Sequence, residues 1–256
     1  MILYSKIYGV GSPILVFHGL FGNGDNWGSF AKKFEKFYQV HLLDIRNHGK
    51  SFVSHEMNYD VISEDILKYI YYYKLNHPIL LGHSMGGRAV MTFSIKYPMI
   101  PKKLIIVDIS PKAYINTNQK KLIHILKKVD FDVINTRKDL DLFLKRWIDD
   151  LKIRSFFSKC TQRQKNGKLC FYFSLSNIEK NYDNLIHKEI KNGSYHGPTL
   201  FLRGEYSNYL IDKDYHHIRK LFPRSKICTV NKSDHWIHVE NPTDFHEKIS
   251  VFLKET

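Results

Sequence analysis

Ser84 lies in Leu80-Leu81-Gly82-His83-Ser84-Met85-Gly86-Gly87, a Gly-x-Ser-x-Gly sequence between an apolar run and a helix-like stretch. Pro78 to Leu81 reads as a buried strand. Met85 to Tyr97 reads as a helix, with Val90, Phe93 and Tyr97 at helical spacing. A serine on so sharp a strand-to-helix turn has its hydroxyl exposed above the sheet edge, where a nucleophile is needed. Side chains at Gly82 and Gly86 would collide in the turn. The Met85 N–H points where an oxyanion would form at a helix N-terminus. The bland alternative is a glycine-rich turn whose serine caps the helix.

A serine hydroxyl is a poor nucleophile until a base takes its proton. Of the 14 histidines, His235 is placed to do so, because Asn231-Lys232-Ser233-Asp234-His235-Trp236 follows the last strand-like run and comes after nucleophile and acid in chain order. His238, on the segment leading to Glu240-Asn241-Pro242, reads as packing and hydrogen bonding. His83 is next to Ser84, but neighbouring side chains on such a turn point apart. The acid that orients the base is open. A common place for it, after the strand at 199–202 and a few residues beyond a glycine, holds Ser207 and Asn208. Asp108, at the end of the strand beside the nucleophile strand, is favoured over Glu205 and Asp212. A second oxyanion donor is expected from His18-Gly19-Leu20-Phe21-Gly22, with the Leu20 N–H preferred to that of Phe21. His18 reads as a loop stabiliser. Asp44 and Arg46 read as a bracing pair near the site; their loop lacks the spacing of a phosphate cradle.

Strand-like and helix-like runs must position these groups. Two strands joined by a turn at Gly9 to Ser12 open the chain, the second being Ile14 to Phe17. Asp25 to Phe37 is predicted helical, with Trp27, Phe30, Ala31, Phe34 and Phe37 on one face. A strand at Val40 to Leu43, a helix at Tyr59 to Tyr73 and a strand at Leu104 to Val107 continue a β-α-β-α rhythm, which specifies a parallel sheet covered on both faces. Residues 112–190 break the rhythm: they are polar, Lys-rich and helical in pattern, as at Lys121 to Val129 and Leu140 to Leu151, with no clear strand. Strands return at Thr199 to Leu202 and Lys226 to Val230. Asp214 to Phe222 and a helix from Pro242, capped by Asn241, complete the chain. The expected organisation is a core of 1–111 and 197–256 with a helical lid insertion at 112–196 over the carboxyl ends of the strands.

With 256 residues, 43% hydrophobic and 14% aromatic, the chain can bury a full core as one large domain. No apolar run is long enough to span a bilayer. The N-terminus lacks a signal-peptide pattern, so a cytoplasmic protein is expected. Cys160, Cys170 and Cys228 show no pairing or C-x-x-C spacing, which argues against disulfides and against zinc. The net charge of +14 would suit nucleic acid, but only three alanines stand among many Lys, Asn, Ile, Tyr and Phe, which have A/T-rich codons. Scattered lysines then need no nucleic-acid partner.

Together these pieces resemble the α/β-hydrolase superfamily over nearly the whole chain. HGLFGNGDNW, DIRNHGKS, MNYDVISEDI, GHSMGGRAVM, VDISP and DHWIHVENP are similar to the bacterial YbfF esterase group and its ABHD11-type animal relatives. The resemblance implies a Ser–His–Asp esterase or thioesterase for small acyl substrates, working without metal or organic cofactor, and it favours Asp108, carried by VDISP, as the acid. Asp234 stands where many relatives have glycine, and the lid is unusually Lys-rich. A carbon–carbon bond hydrolase or lyase on the same fold is the enzymatic alternative, and a binding protein that has kept the pocket is the other. A haloalkane or epoxide hydrolase is disfavoured, because those carry a carboxylate at the nucleophile position.

Overall fold

Apolar runs at the expected places form a seven-stranded sheet in a computed structural model that describes residues 1–114 and 119–255. Residues 115–118, within the expected insertion, lie outside the described residues, as does residue 256. The strands are β1 (Ser5–Tyr8), β2 (Ser12–Phe17), β3 (Tyr38–Leu43), β4 (Ile79–His83), β5 (Lys103–Val107), β6 (Thr161–Arg163), β7 (Leu169–Phe171), β8 (Thr199–Gly204) and β9 (Ser225–Val230). The helices are α1 (Gly28–Phe34), α2 (Tyr59–Tyr72), α3 (Met85–Lys96), α4 (Gln119–Leu126), α5 (Arg137–Leu144), α6 (Leu151–Lys159), α7 (Leu175–Ile186), α8 (Tyr215–Leu221), α9 (Ile237–Glu240) and α10 (Pro242–Lys254).

The main sheet has the order β1-β3-β2-β4-β5-β8-β9, parallel except for β1, which pairs antiparallel with β3. The two opening strands are therefore not partners, since β3 lies between them. Alternation along each strand sends successive side chains to opposite faces. Ile14, Val16, Leu81, Ile105 and Val107 pack with Phe30, Phe245 and Ile249 on the α1/α10 side. Leu15, Phe17, Leu80, Leu104 and Ile106 pack with Ile62, Ile66 and Met91 on the α2/α3 side. Both faces are thus dry, as the near-continuous apolar runs require.

Pairings of Phe17 with Gly82, His83 with Val107, Val107 with Leu202 and Gly204 with Val230 bring the carboxyl ends of β2, β4, β5, β8 and β9 to one edge. That edge is where open parallel sheets bind ligands.

Three expectations need correction. The stretch expected to be strandless contains the antiparallel hairpin β6–β7. Leu140 to Leu151 is not one helix: α5 ends at Leu144, and Asp150 starts α6 by accepting the Lys152 N–H. Phe37 lies beyond α1 and is 73% exposed instead of facing the core. The three cysteines are unpaired. Among the described residues no helix is long and apolar enough to cross a membrane.

Candidate active site

β4 ends at His83 and α3 begins at Met85, so Ser84 alone makes the turn. Its backbone is left-handed in φ (φ 52°, ψ −117°), a conformation that costs a non-glycine residue energy and persists only where the surroundings enforce it. The enforcement is close packing. A Cβ on Gly82 would fall 2.3 Å from the Gly86 carbonyl oxygen, and one on Gly86 would fall 2.3 Å from that of Phe17. Ser84 N–H donates to the Val107 carbonyl at 3.1 Å, which ties the turn to the end of β5.

Ser84 Oγ lies 3.1 Å from His235 Nε2, and His235 Nδ1 lies 2.7 Å from Asp108 Oδ2. Three side chains from three strand ends thus form one hydrogen-bonded chain. Asp108 is fully buried and also left-handed, with φ 48°. Its carboxylate is satisfied on both oxygens: Gly204 N–H donates to Oδ1 at 2.9 Å and the Ser207 hydroxyl to Oδ2 at 2.5 Å. Glu205 and Asp212 point elsewhere. Glu205 accepts the Lys232 N–H at 2.7 Å, and Asp212 pairs with Arg203 at 2.5 Å on the surface.

Two contacts that sequence reasoning did not find hold His235, one on its ring and one on its backbone. Tyr209 stacks on it with centroids 3.8 Å apart and planes 20° apart. His83 Nε2–H donates to the His235 carbonyl at 2.9 Å. Burial holds the His83 imidazole far below its ordinary range, so the ring is neutral and acts as a donor there. The sequence signal for Ser207 was its place beyond Gly204, where a carboxylate is often found. Tyr209 carried no signal of its own. His238 is buried and stacked on Trp27 at 4.1 Å, in keeping with packing, but the hydrogen bonding expected of it is not seen, because its buried Nδ1 has no partner among the described residues.

The loop after β2 presses against the serine. A Cβ on Gly19 would come 3.3 Å from Ser84 Cβ and 2.9 Å from His83 Nδ1. Two buried histidines lock this loop. His18 Nε2 accepts the Ile45 N–H at 3.0 Å while its Nδ1–H donates to the Gly19 carbonyl at 2.8 Å. His48 Nε2 accepts the Phe21 N–H at 3.1 Å while its Nδ1–H donates to the Arg46 carbonyl at 3.0 Å. Burial lowers the first to about 4 and the second to about 3, which keeps both neutral and able to accept. The Phe21 amide is therefore occupied. The Leu20 and Met85 amides have no partner among the described residues.

Asp44 and Arg46 brace loops, but not as a pair with each other. Asp44 accepts the Gly24 and Lys50 amides at 2.7 and 2.8 Å, and Arg46 makes a buried two-point pair with Asp65 at 2.6 and 2.8 Å. Aromatic rings from the segment between β5 and β8 meet residues that neighbour Leu20 and His235 in the chain. Phe157 and Phe173 meet Phe21 at 5.5 and 5.0 Å, and Phe156 meets Trp236 at 5.5 Å. Among the described residues no group of three His, Cys, Asp or Glu side chains could hold a metal ion.

A family model described as the alpha/beta hydrolase fold matches residues 12–242. The sn-1-specific diacylglycerol lipase ABHD11 of Danio rerio is 32% identical over 253 residues, covering 96% of this chain and 80% of that one. Esterase YbfF of Escherichia coli is 25% identical, covering 95% and 94%. The solved structure of a marine microorganism esterase superposes with a TM-score of 0.95 at 36% identity, covering 98% of this chain and 99% of that one. Family model, full-length relatives and sheet topology agree, and the chain belongs to the α/β-hydrolase fold family.

Proposed function

We propose that the protein is a serine hydrolase that cleaves small acyl esters or thioesters. The observation that carries this reading is the hydrogen-bonded chain Ser84–His235–Asp108 at the carboxyl edge of the sheet. The names of the relatives, esterase and lipase, support an ester as substrate.

In this mechanism His235 Nε2 takes the Ser84 proton as Oγ attacks the acyl carbon. Asp108 stabilises the imidazolium through Nδ1–H and keeps the ring in the tautomer that leaves Nε2 free to accept. The tetrahedral oxyanion is held by the Leu20 and Met85 amides, which are unpaired in the resting site; donors of this type contribute about 3–4 kcal/mol each to the transition state. His235 then protonates the leaving alcohol or thiol, and water repeats the steps in reverse on the acyl-enzyme. Residues 112–196 act as a lid over a core of 1–111 and 197–256, and their Phe156, Phe157 and Phe173 make the acyl side of the pocket apolar.

Hydrolysis of p-nitrophenyl acetate or butyrate, together with labelling by a fluorophosphonate, tests the reading. Ser84→Ala should lose both, by on the order of 10⁶-fold in kcat. A fully active Ser84→Ala protein would sink it.

A further inference from the structure

Residues 112–196 carry 18 Lys and Arg against nine Asp and Glu, whereas the remaining two thirds of the chain carries 21 against 16. A codon bias acting evenly along the gene does not produce such a concentration. Within this segment α4 and the chain after α5 enclose an open depression of about 410 Å³, lined by Lys120, Lys121, His124, Ile125, Lys128 and Trp147. Lys128 Nζ lies 3.9 Å from the centre of the Trp147 ring.

Trp147 is 51% exposed, and Leu142 and Leu151, on either side of it in the chain, are more exposed still. Lys121, Lys128, Lys145 and Arg146 have no carboxylate partner among the described residues, while Lys120 meets Asp183 at 3.4 Å. Of the acids nearby, Asp183 meets Lys120, Asp141 pairs with Arg154, and Asp150 is committed to capping α6.

We propose that this face docks on an anionic lipid surface, a property that stands independently of the ester-hydrolase reading. Unpaired ammonium and guanidinium groups meet lipid phosphates, while Trp147, with Leu142 and Leu151 beside it, enters the boundary between headgroups and acyl chains. A nucleic acid would use the cations and leave the exposed leucines unexplained. A second copy of the same face would bring like charges together.

Co-sedimentation with vesicles tests it, using wild type and Ser84→Ala so that binding is read apart from turnover. Both should bind phosphatidylcholine vesicles that contain phosphatidylglycerol, release in high salt, and leave phosphatidylcholine alone unbound. Each surface lysine contributes about fivefold to such partitioning, so Lys121→Glu/Lys128→Glu should bind at least about tenfold more weakly. Trp147→Phe should remove the blue shift of tryptophan fluorescence on binding. All these side chains are on the surface, so the variants should keep their melting temperature and their rate on a soluble ester. Absence of binding by wild type, equal binding by the charge variant, retention on DNA without vesicle binding, or a dimer that disappears in the charge variant would each overturn the proposal.

Discussion

The Ser207 hydroxyl donates across 2.5 Å to Asp108 Oδ2, the same oxygen that receives His235 Nδ1–H. Ser207 therefore shares the work of orienting this carboxylate, although it touches neither Ser84 nor the imidazole by any hydrogen bond. A hydrogen bond to a buried charge is worth roughly 1.5–3 kcal/mol. Ser207→Ala should accordingly lower kcat by roughly ten- to a hundredfold with KM little changed. Ser207→Thr, which keeps the hydroxyl, should recover most of it. A change confined to KM would contradict the positioning role.

Asp108→Asn should be far more damaging. The amide would no longer stabilise the imidazolium or enforce the tautomer, and a loss of roughly 10⁴-fold in kcat is expected. Glu205→Gln and Asp212→Asn should stay near wild type, because those carboxylates serve Lys232 and Arg203 instead. Steady-state kinetics on one p-nitrophenyl ester separates the three.

Gly19→Ala tests the loop that carries the Leu20 amide. Its new Cβ would press on His83 Nδ1 and Ser84 Cβ. On the proposed mechanism, displacing the Leu20 amide should reduce kcat by up to about a hundredfold, the loss that a misplacement of about 1 Å can bring. Fluorophosphonate labelling should slow in parallel.

Acid should destabilise the fold steeply. Burial holds His18 at about 4 and His48 and His238 at about 3, against 6.5 for an exposed imidazole. Between those values the unfolded chain binds protons that the native protein excludes, so stability falls as the pH drops below about 6.5 and continues falling to about 3. Each such group contributes about 1.4 kcal/mol per pH unit across its window, or ~4 kcal/mol per unit for the three together. Melting followed by calorimetry should fall sharply from neutral pH towards about pH 5. A flat melting temperature over that range would contradict the neutral assignment.

The elbow and the sheet around it are legible in sequence because their constraints are local. Gly82 is required by a contact within the turn and Gly86 by the close approach of the end of β2, and the apolar runs announce buried strands directly. His235 and Asp108 are found by chain order and by strand ends. Ser207 is less legible, since its partner is 99 residues away and a donating hydroxyl has no spacing pattern. Strands β6 and β7 escape notice because three residues are too few to show alternation. Leu140 to Leu151 reads as one helix because apolar spacing continues across a break that a single cap at Asp150 creates. The buried pair of Arg46 with Asp65 is not legible because Asp44 is the nearer acid in sequence, while helix α2 supplies the partner.

Two of the three linked side chains, Ser84 and Asp108, stand on left-handed backbone at the ends of adjacent strands. Each such position costs a non-glycine residue about 1–3 kcal/mol. A population selected only for heat resistance would drift towards glycine at position 84, giving a protein that melts later and, on the proposed mechanism, has lost its nucleophile. Thermal screens of random variants should therefore enrich glycine at position 84, whereas Asp108 is held in place by the hydrogen bonds its buried carboxylate accepts. Any search for a hardier catalyst has to score turnover alongside survival.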